Sequence, residues 1–223
     1  MKKYQKFMMV LTLALFGVML TGCFGGDDDY NGQDSTTNNN NNNNQTTSDY
    51  VRGTRTGTNN FASEFLNLRF TTPAGFILLD DDEMEDLLGI SMEYVLGDDG
   101  LTNFAQAMLV YEMVATNPLT GNSAQVIVER MISRNISMED YLEASRDQFM
   151  RVFPNAEFSE AGTKEFAGET YTYFSVKSSA FGMDMNQKSL IRQIDNRMVV
   201  IMFTIVDGND DDLEIMLNGF REF

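Results

Sequence analysis

Phe65-Leu66-Asn67-Leu68-Arg69-Phe70-Thr71-Thr72-Pro73-Ala74-Gly75-Phe76 is the stretch on which a reading of the fold turns. Leu66, Leu68 and Phe70 alternate with Asn67, Arg69 and Thr71. A period of two sends one set to a core and the other to water, which predicts a half-buried strand over Phe65 to Thr72. Pro73-Ala74-Gly75 then turns the chain into a second short apolar run, Phe76-Ile77-Leu78.

Downstream the period changes. Asp80 to Glu83 precede Met84, Leu87 and Leu88 at helical spacing, with Gly89 beyond the last turn. Acidic residues at a helix start satisfy free amides and face the positive end of the dipole. Residues 90–104 have no single period, although Met92, Val95 and Leu96 suit a short helical piece ended by Gly97-Asp98-Asp99-Gly100. Ala105 to Ala115 is apolar on both faces apart from Gln106 and Glu112, as a central strand is. Turn chemistry at Asn117-Pro118-Leu119-Thr120-Gly121-Asn122 leads into a second strand, Ala124 to Ile132, and the two predict a hairpin.

Ser137 with Asp140 three residues on has the capping-box pattern, and the predicted helix behind it carries Met138, Tyr141, Leu142, Ser145, Phe149 and Val152 on one face until Pro154. Strands follow at Lys164 to Phe166, Thr170 to Ser178, Met183 to Ile194 and Met198 to Val206. Asn209 is placed to cap a last helix whose stripe reads Leu213, Met216, Leu217 and Phe220. Strands in runs with helices between the runs predict an α+β domain: a central antiparallel sheet flanked by helices.

The order of these elements, the entry Phe65 to Phe76 and the later Phe166-Ala167-Gly168-Glu169-Thr170-Tyr171 resemble small lipoproteins of Gram-positive bacteria with a PsbP/Mog1-like fold. The resemblance covers nearly all of residues 61–223 and rests on a turn proline, a hairpin glycine and alternating strands. It implies helices on both faces of the sheet and a role as an adaptor or assembly factor. No catalytic residue carries over from it.

Towards the N-terminus the pattern is that of export. Lys2, Lys3 and Lys6 precede an apolar run from Val10 to Leu20, which is too short to span a bilayer and suits a signal peptide. Leu20-Thr21-Gly22-Cys23 resembles a lipobox, in which the Cys23 thiol carries the diacylglyceryl group. The reading is therefore a signal peptide over residues 1–22, a lipidated Cys23 heading a disordered linker to residue 60, and a globular domain over residues 61–223. The linker holds an unbroken run from Asn38 to Asn44 among Thr, Ser, Gly and Gln, with too little apolar surface to offset the entropy of ordering it.

Composition removes several function classes. The chain has no histidine, so a Ser-His-Asp triad and a His-bearing zinc site are excluded. Its one cysteine, Cys23, leaves no thiol in the domain for a disulfide or a nucleophile. The net charge of -17 repels phosphate backbones, so no nucleic-acid partner is expected. Asp207, Asn209 and Asp211 match three positions of a calcium loop, but Asp212 stands where glycine is needed and Asn218 where the bidentate glutamate belongs, so capping chemistry explains them better.

No phosphate loop or Ser-Lys dyad is present in the sequence, and neither an enzyme nor a cofactor or metal is expected. Phe181, Met183 and Met185, beside Gly182 between two predicted strands, are the candidate partner-binding tip, because flexible apolar side chains at a loop tip make a contact surface. The expectation is a lipid-anchored, non-enzymatic module on the outer face of a bacterial cytoplasmic membrane that binds a protein or a cell-wall component. The alternative is a carrier of an apolar small ligand held between sheet and helices.

Overall fold

A computed structural model describes residues 50–87, 108–131, 136–180, 182–208 and 211–223. The signal peptide, Cys23, linker residues 24–49, the ambiguous piece around Met92 to Leu96, Phe181 and Asn209 lie outside the described residues.

Twelve strands and three helical segments can be followed through the described residues. A small sheet is formed by β1 (Thr54–Thr56), β2 (Asn60–Ser63), β3 (Leu68–Thr71) and the C-terminal β12 (Phe220–Glu222), in the order β1-β2-β3-β12. The large sheet contains β4 (Ile77–Leu78), β5 (Leu109–Thr116), β6 (Ser123–Arg130), β7 (Glu157–Phe158), β8 (Gly162–Phe166), β9 (Glu169–Ala180), β10 (Met183–Ile194) and β11 (Arg197–Val206). Its order is β4-β5-β6-β11-β10-β9-β7, with β8 also paired to β9, and every pairing is antiparallel. The helical segments are α1 over residues 81–87, α2 (Met138–Val152) and α3 (Asp211–Leu217). The protein is an α+β domain, as its alternating sequence predicts.

Strand β11 explains the layering. Met198, Val200 and Met202 join Tyr141 and Phe149 of α2 and Met84 and Leu87 of α1 in one core. Val199, Ile201, Phe203 and Ile205, pointing the other way, join Phe61, Phe70 and Phe220 of the small sheet, Leu66 before β3, and Leu213 and Met216 of α3 in a second. One face of the large sheet is thus covered by helices, and the other by a second sheet together with one short helix. Helices flank the large sheet as its sequence predicts, and the small sheet is added beside α3.

Three local expectations change with it. Phe65 to Asn67 form the turn between β2 and β3: the Asn67 amide donates to Glu64 O at 3.1 Å, and Asn67 takes a φ of 53°. Leu66 still points inward, which is why the alternation resembled a continuous strand. Phe220 belongs to β12 and pairs with Phe70; α3 ends first, where the Gly219 amide donates to Met216 O at 3.0 Å. The linker boundary at residue 60 also moves, because β1 and the residues before it already lie on the domain. By contrast both N-caps follow the sequence. Ser137 and Asp140 form a capping box, and the Glu83 amide donates to Asp80 Oδ1 at 2.9 Å while Glu83 Oε2 accepts from the Asp80 amide at 3.0 Å.

Gly219 is required by the close approach of α3 to the small sheet. A Cβ there would lie 2.7 Å from Phe70 Cε2, 2.8 Å from Thr71 O and 3.1 Å from Met216 O. Two of those neighbours are backbone and cannot turn aside. Gly219→Ala is expected to cost roughly 2 kcal/mol, the scale of overpacking in a close-packed interior. Thermal melting checks it, and an unchanged melting temperature would mean that the small sheet yields at no cost.

Candidate functional site

Helix α2 ends at Phe153-Pro154, where the Phe153 amide donates to Phe149 O at 2.8 Å and the Ala156 amide donates to Phe153 O at 3.0 Å. Proline cannot continue the helix, so the chain turns and enters β7 at Glu157. Strand β7 is only two residues long: Glu157 pairs with Lys177 and Phe158 with Val176. Beyond Lys177, no strand among the described residues pairs with that outer edge of β9.

The departing chain and the strand edge enclose a groove of about 690 Å³. One wall is Val152 to Glu157, the other is Lys177 to Ser179 with Asp184 to Asn186, and Gly208 closes the end. Its surface is mixed. Phe153, Pro154, Ala156 and Met185 supply apolar atoms, while Glu157, Asp184 and Lys177 supply charge. Ser179 Oγ donates to Asp184 Oδ1 at 2.5 Å, and the Asp184 backbone is held by Asp207, whose amide donates to Asp184 O at 2.8 Å. Beneath this surface Ser178, 7 % exposed, has a hydroxyl without a hydrogen-bond partner, and Asn186 Oδ1 is buried in the same condition. Both atoms are closed off behind the groove surface.

Of the predicted tip residues, Met185 is 3 % exposed and belongs to the helix-side core, so it forms groove wall and not a projecting contact. The reason is register: Met185 faces the same side of β10 as the core residue Ile191. Met183 is half-buried and pairs with Ala180. The sequence pointed to this end of the β9–β10 hairpin and not to the α2 wall beside it. Pro154 as a helix stop was its only signal.

A second polar constellation lies at the opposite end of the sheet. Glu112 is the extra residue of a bulge in β5 between Tyr111 and Met113, and it is 3 % exposed. Its carboxylate accepts from Tyr50 Oη and, at 2.7 Å, from the Gly53 amide. Arg52 Nη2 donates to Tyr111 O at 2.9 Å and pairs with Asp81 at 3.0 Å, and the Arg197 guanidinium sits 4.2 Å from the centre of the Tyr50 ring. Burial pushes the Glu112 carboxyl up, against the hydrogen bonds from Tyr50 and Gly53 and the charges of Arg52 and Arg197. Residues 50–53 therefore strap the start of the domain to the β5 bulge.

A third titratable group is structural. Glu129 of β6 is 1 % exposed, and its Oε2 accepts from Tyr141 Oη of α2 at 2.9 Å. Burial raises its carboxyl to about 8, with the Tyr141 hydrogen bond opposing. Asp212, at the position where a calcium loop needs glycine, is bound within the fold: its Oδ2 accepts from Asn122 Nδ2 at 2.7 Å and from Thr120 Oγ1 at 3.3 Å, tying α3 to the β5–β6 turn.

No family model and no curated protein matches the chain. Among solved structures it is similar to the solution structure of cyanobacterial PsbP (CyanoP) from Synechocystis sp. PCC 6803, at 10% identity over 79% of this chain and 96% of that one, with a TM-score of 0.45. A protein from Bacteroides thetaiotaomicron is similar at 10% identity over 74% of this chain and 48% of its own, with a TM-score of 0.41. LpqN, involved in cell envelope biogenesis of Mycobacterium tuberculosis, is similar at 10% identity over 69% of this chain and 82% of its own, with a TM-score of 0.40. The class defined by the fold itself is an α+β domain with two antiparallel sheets. Likeness at this distance assigns the chain to no family.

Proposed function

We propose that the protein is a non-catalytic binding module, anchored through a lipid on Cys23 to the outer face of a bacterial cytoplasmic membrane, that holds a protein or cell-wall partner in the groove at the end of α2. The observation that carries the reading is the polarity of the domain. The strap at Tyr50 touches Arg197, next to the β10–β11 turn, whereas Met185 lines the groove at the other end of β10. Nine residue steps of strand separate Met185 from Ile194, the partner of Arg197, roughly 30 Å. A domain attached to the bilayer through the residues before the strap carries its groove at the far end of β10 from that attachment.

The apolar-carrier reading is the weaker. Both faces of the large sheet are filled by side chains, Tyr111, Ile127, Tyr141 and Phe149 on one and Phe61, Phe70, Phe203 and Phe220 on the other. Two experiments test the proposal. Cys23→Ser is expected to abolish lipid labelling and release the chain from the membrane fraction; a labelled Cys23→Ser protein would defeat the anchor. A photoreactive side chain at Asn155, in the groove wall, is expected to give a covalent adduct on intact cells that disappears when Ala156→Trp fills the groove. An adduct that survives Ala156→Trp would place binding elsewhere.

A further inference from the structure

The two grooves and the buried polar groups differ in what they offer a ligand. The second groove, about 520 Å³, runs between the exposed flank of α2 at Glu143 and Asp147 and the chain around Ser159, and holds no buried polar atom without a partner. Glu112 is closed over by Tyr50, and Glu129 is buried in the core against Tyr141, out of reach of a ligand. The groove at the end of α2 combines a strand edge, an apolar wall and a charge sign.

Resting on the binding-module reading, we infer that this groove takes an extended, cationic peptide segment of a protein partner, paired along the free edge of β9 at Ser178 and Ser179. Three independent features converge on this occupant. Strand β7 covers β9 only as far as Lys177, after which the β9 edge continues through Ser178 and Ser179 with no neighbouring strand among the described residues. An unpaired strand edge offers backbone donors and acceptors to one thing above all, another extended backbone, and added strands bind by main-chain hydrogen bonds with side chains reaching alternate pockets.

Side-chain chemistry sets the second feature. The wall is apolar at Phe153, Pro154 and Met185, with the exposed carboxylates of Glu157 and Asp184 beside it. An alternating peptide meets both demands, since successive residues point to opposite sides and only every other one faces the wall.

Charge sets the third. Glu157 and Asp184 line the groove with Lys177 as its one cation, and Asp207, whose Oδ1 accepts from the Asp184 amide at 3.3 Å, adds a further carboxylate at its end. The whole chain carries -17, so the local field is reinforced and not opposed by the rest of the molecule. A field of this sign speeds and orients a cationic segment and rejects an acidic one. A neutral glycan would gain nothing from the field or from the strand edge.

The test selects random linear peptides, displayed on phage, against the full chain in detergent micelles, and follows the winners by amide hydrogen exchange. Enriched sequences are expected to carry net positive charge, and their binding to slow exchange at residues 178–180. Glu157→Lys, an exposed position whose folding is checked by melting, is expected to weaken them by about tenfold or more. Neutral or acidic winners, affinity indifferent to Glu157→Lys, or protection confined to other residues would each overturn the inference. Soluble cell-wall glycan fragments form the second arm. If they, and no peptide, slow exchange in the groove, the peptide inference falls while the binding-module reading stands. If neither does, both fall.

Discussion

Glu129→Gln is expected to raise the melting temperature by on the order of 10 °C at pH 7 and to leave it nearly unchanged at pH 4.5, an inversion of the usual result of neutralising a charge. The sign follows from linkage. Buried against α2, the Glu129 carboxyl is raised to about 8, above the 4.5 of an exposed glutamate. Between those two values the folded state binds the proton that the unfolded chain has lost, so stability falls as pH rises through that window. Below pH 4.5 both states are protonated and nothing is lost; above 8 both are ionised and the penalty is complete. At pH 7 the accumulated loss is roughly 3 kcal/mol, at about 1.4 kcal/mol per unit. For a domain of this size each kcal/mol moves the midpoint by about 2–4 °C.

Glutamine has the same shape, keeps an oxygen for the 2.9 Å hydrogen bond from Tyr141 and never ionises. The variant should therefore show a flatter pH profile than the parent between pH 5 and 8. Melting curves of the two proteins at four pH values decide it, since charges elsewhere act equally on both. Parallel profiles would mean that Glu129 is already ionised in the fold and stabilised by groups other than Tyr141. Tyr141→Phe serves as the companion: it removes the hydrogen bond that favours the charged form, and should carry the fall in stability on to higher pH.

How much of this was legible in the sequence depends on whether the information was local. The β5–β6 hairpin, the capping box at Ser137 and Asp140, and the long strands β10 and β11 are specified by residues within a dozen positions of one another, and the structure contains them. Strand β12 is different. Phe220 stands four residues after Met216 and fits the helical stripe of α3 as well as it fits a strand, and what decides is Gly219, pressed against Phe70 and Thr71 from the distant small sheet. Strand β1 left no apolar trace at all, because Thr54, Arg55 and Thr56 are all exposed and hold their place by pairing with β2.

Site residues follow the same division. Glu112 and Glu129 are visible in the sequence as acids within apolar strands, but their partners are 62 and 12 positions away. The groove is the extreme case. Its walls come from residues 152–157, 177–179 and 184–186, and the feature that opens it, a β7 that stops after two residues, is a property of pairing and not of composition.

Removing residues 1–57, so that the chain begins at Thr58, is expected to lower the melting temperature by about 10 °C relative to a chain beginning at Tyr50, although none of residues 50–57 is fully buried. The deletion takes away the Tyr50 and Gly53 donors to Glu112, the Arg52 bond to Tyr111 O and the Arg52–Asp81 pair. It also removes the Tyr50 ring from between Arg197 and Phe65, whose ring centre lies 5.1 Å away. Hydrogen bonds to a charged group contribute about 1.5–3 kcal/mol each, whereas the exposed Arg52–Asp81 pair contributes about 1 kcal/mol or less. Water reaches Glu112 once the strap is gone and returns part of the loss, leaving a net cost of roughly 3 kcal/mol. Tyr50→Phe inside the intact strap isolates the hydrogen bond. There the Glu112 carboxylate stays covered and loses one donor, at a cost of about 1–3 kcal/mol. If the chain beginning at Thr58 melts with the one beginning at Tyr50, the strap is an incidental contact, the tether runs free to residue 58, and the domain has no fixed end towards the membrane.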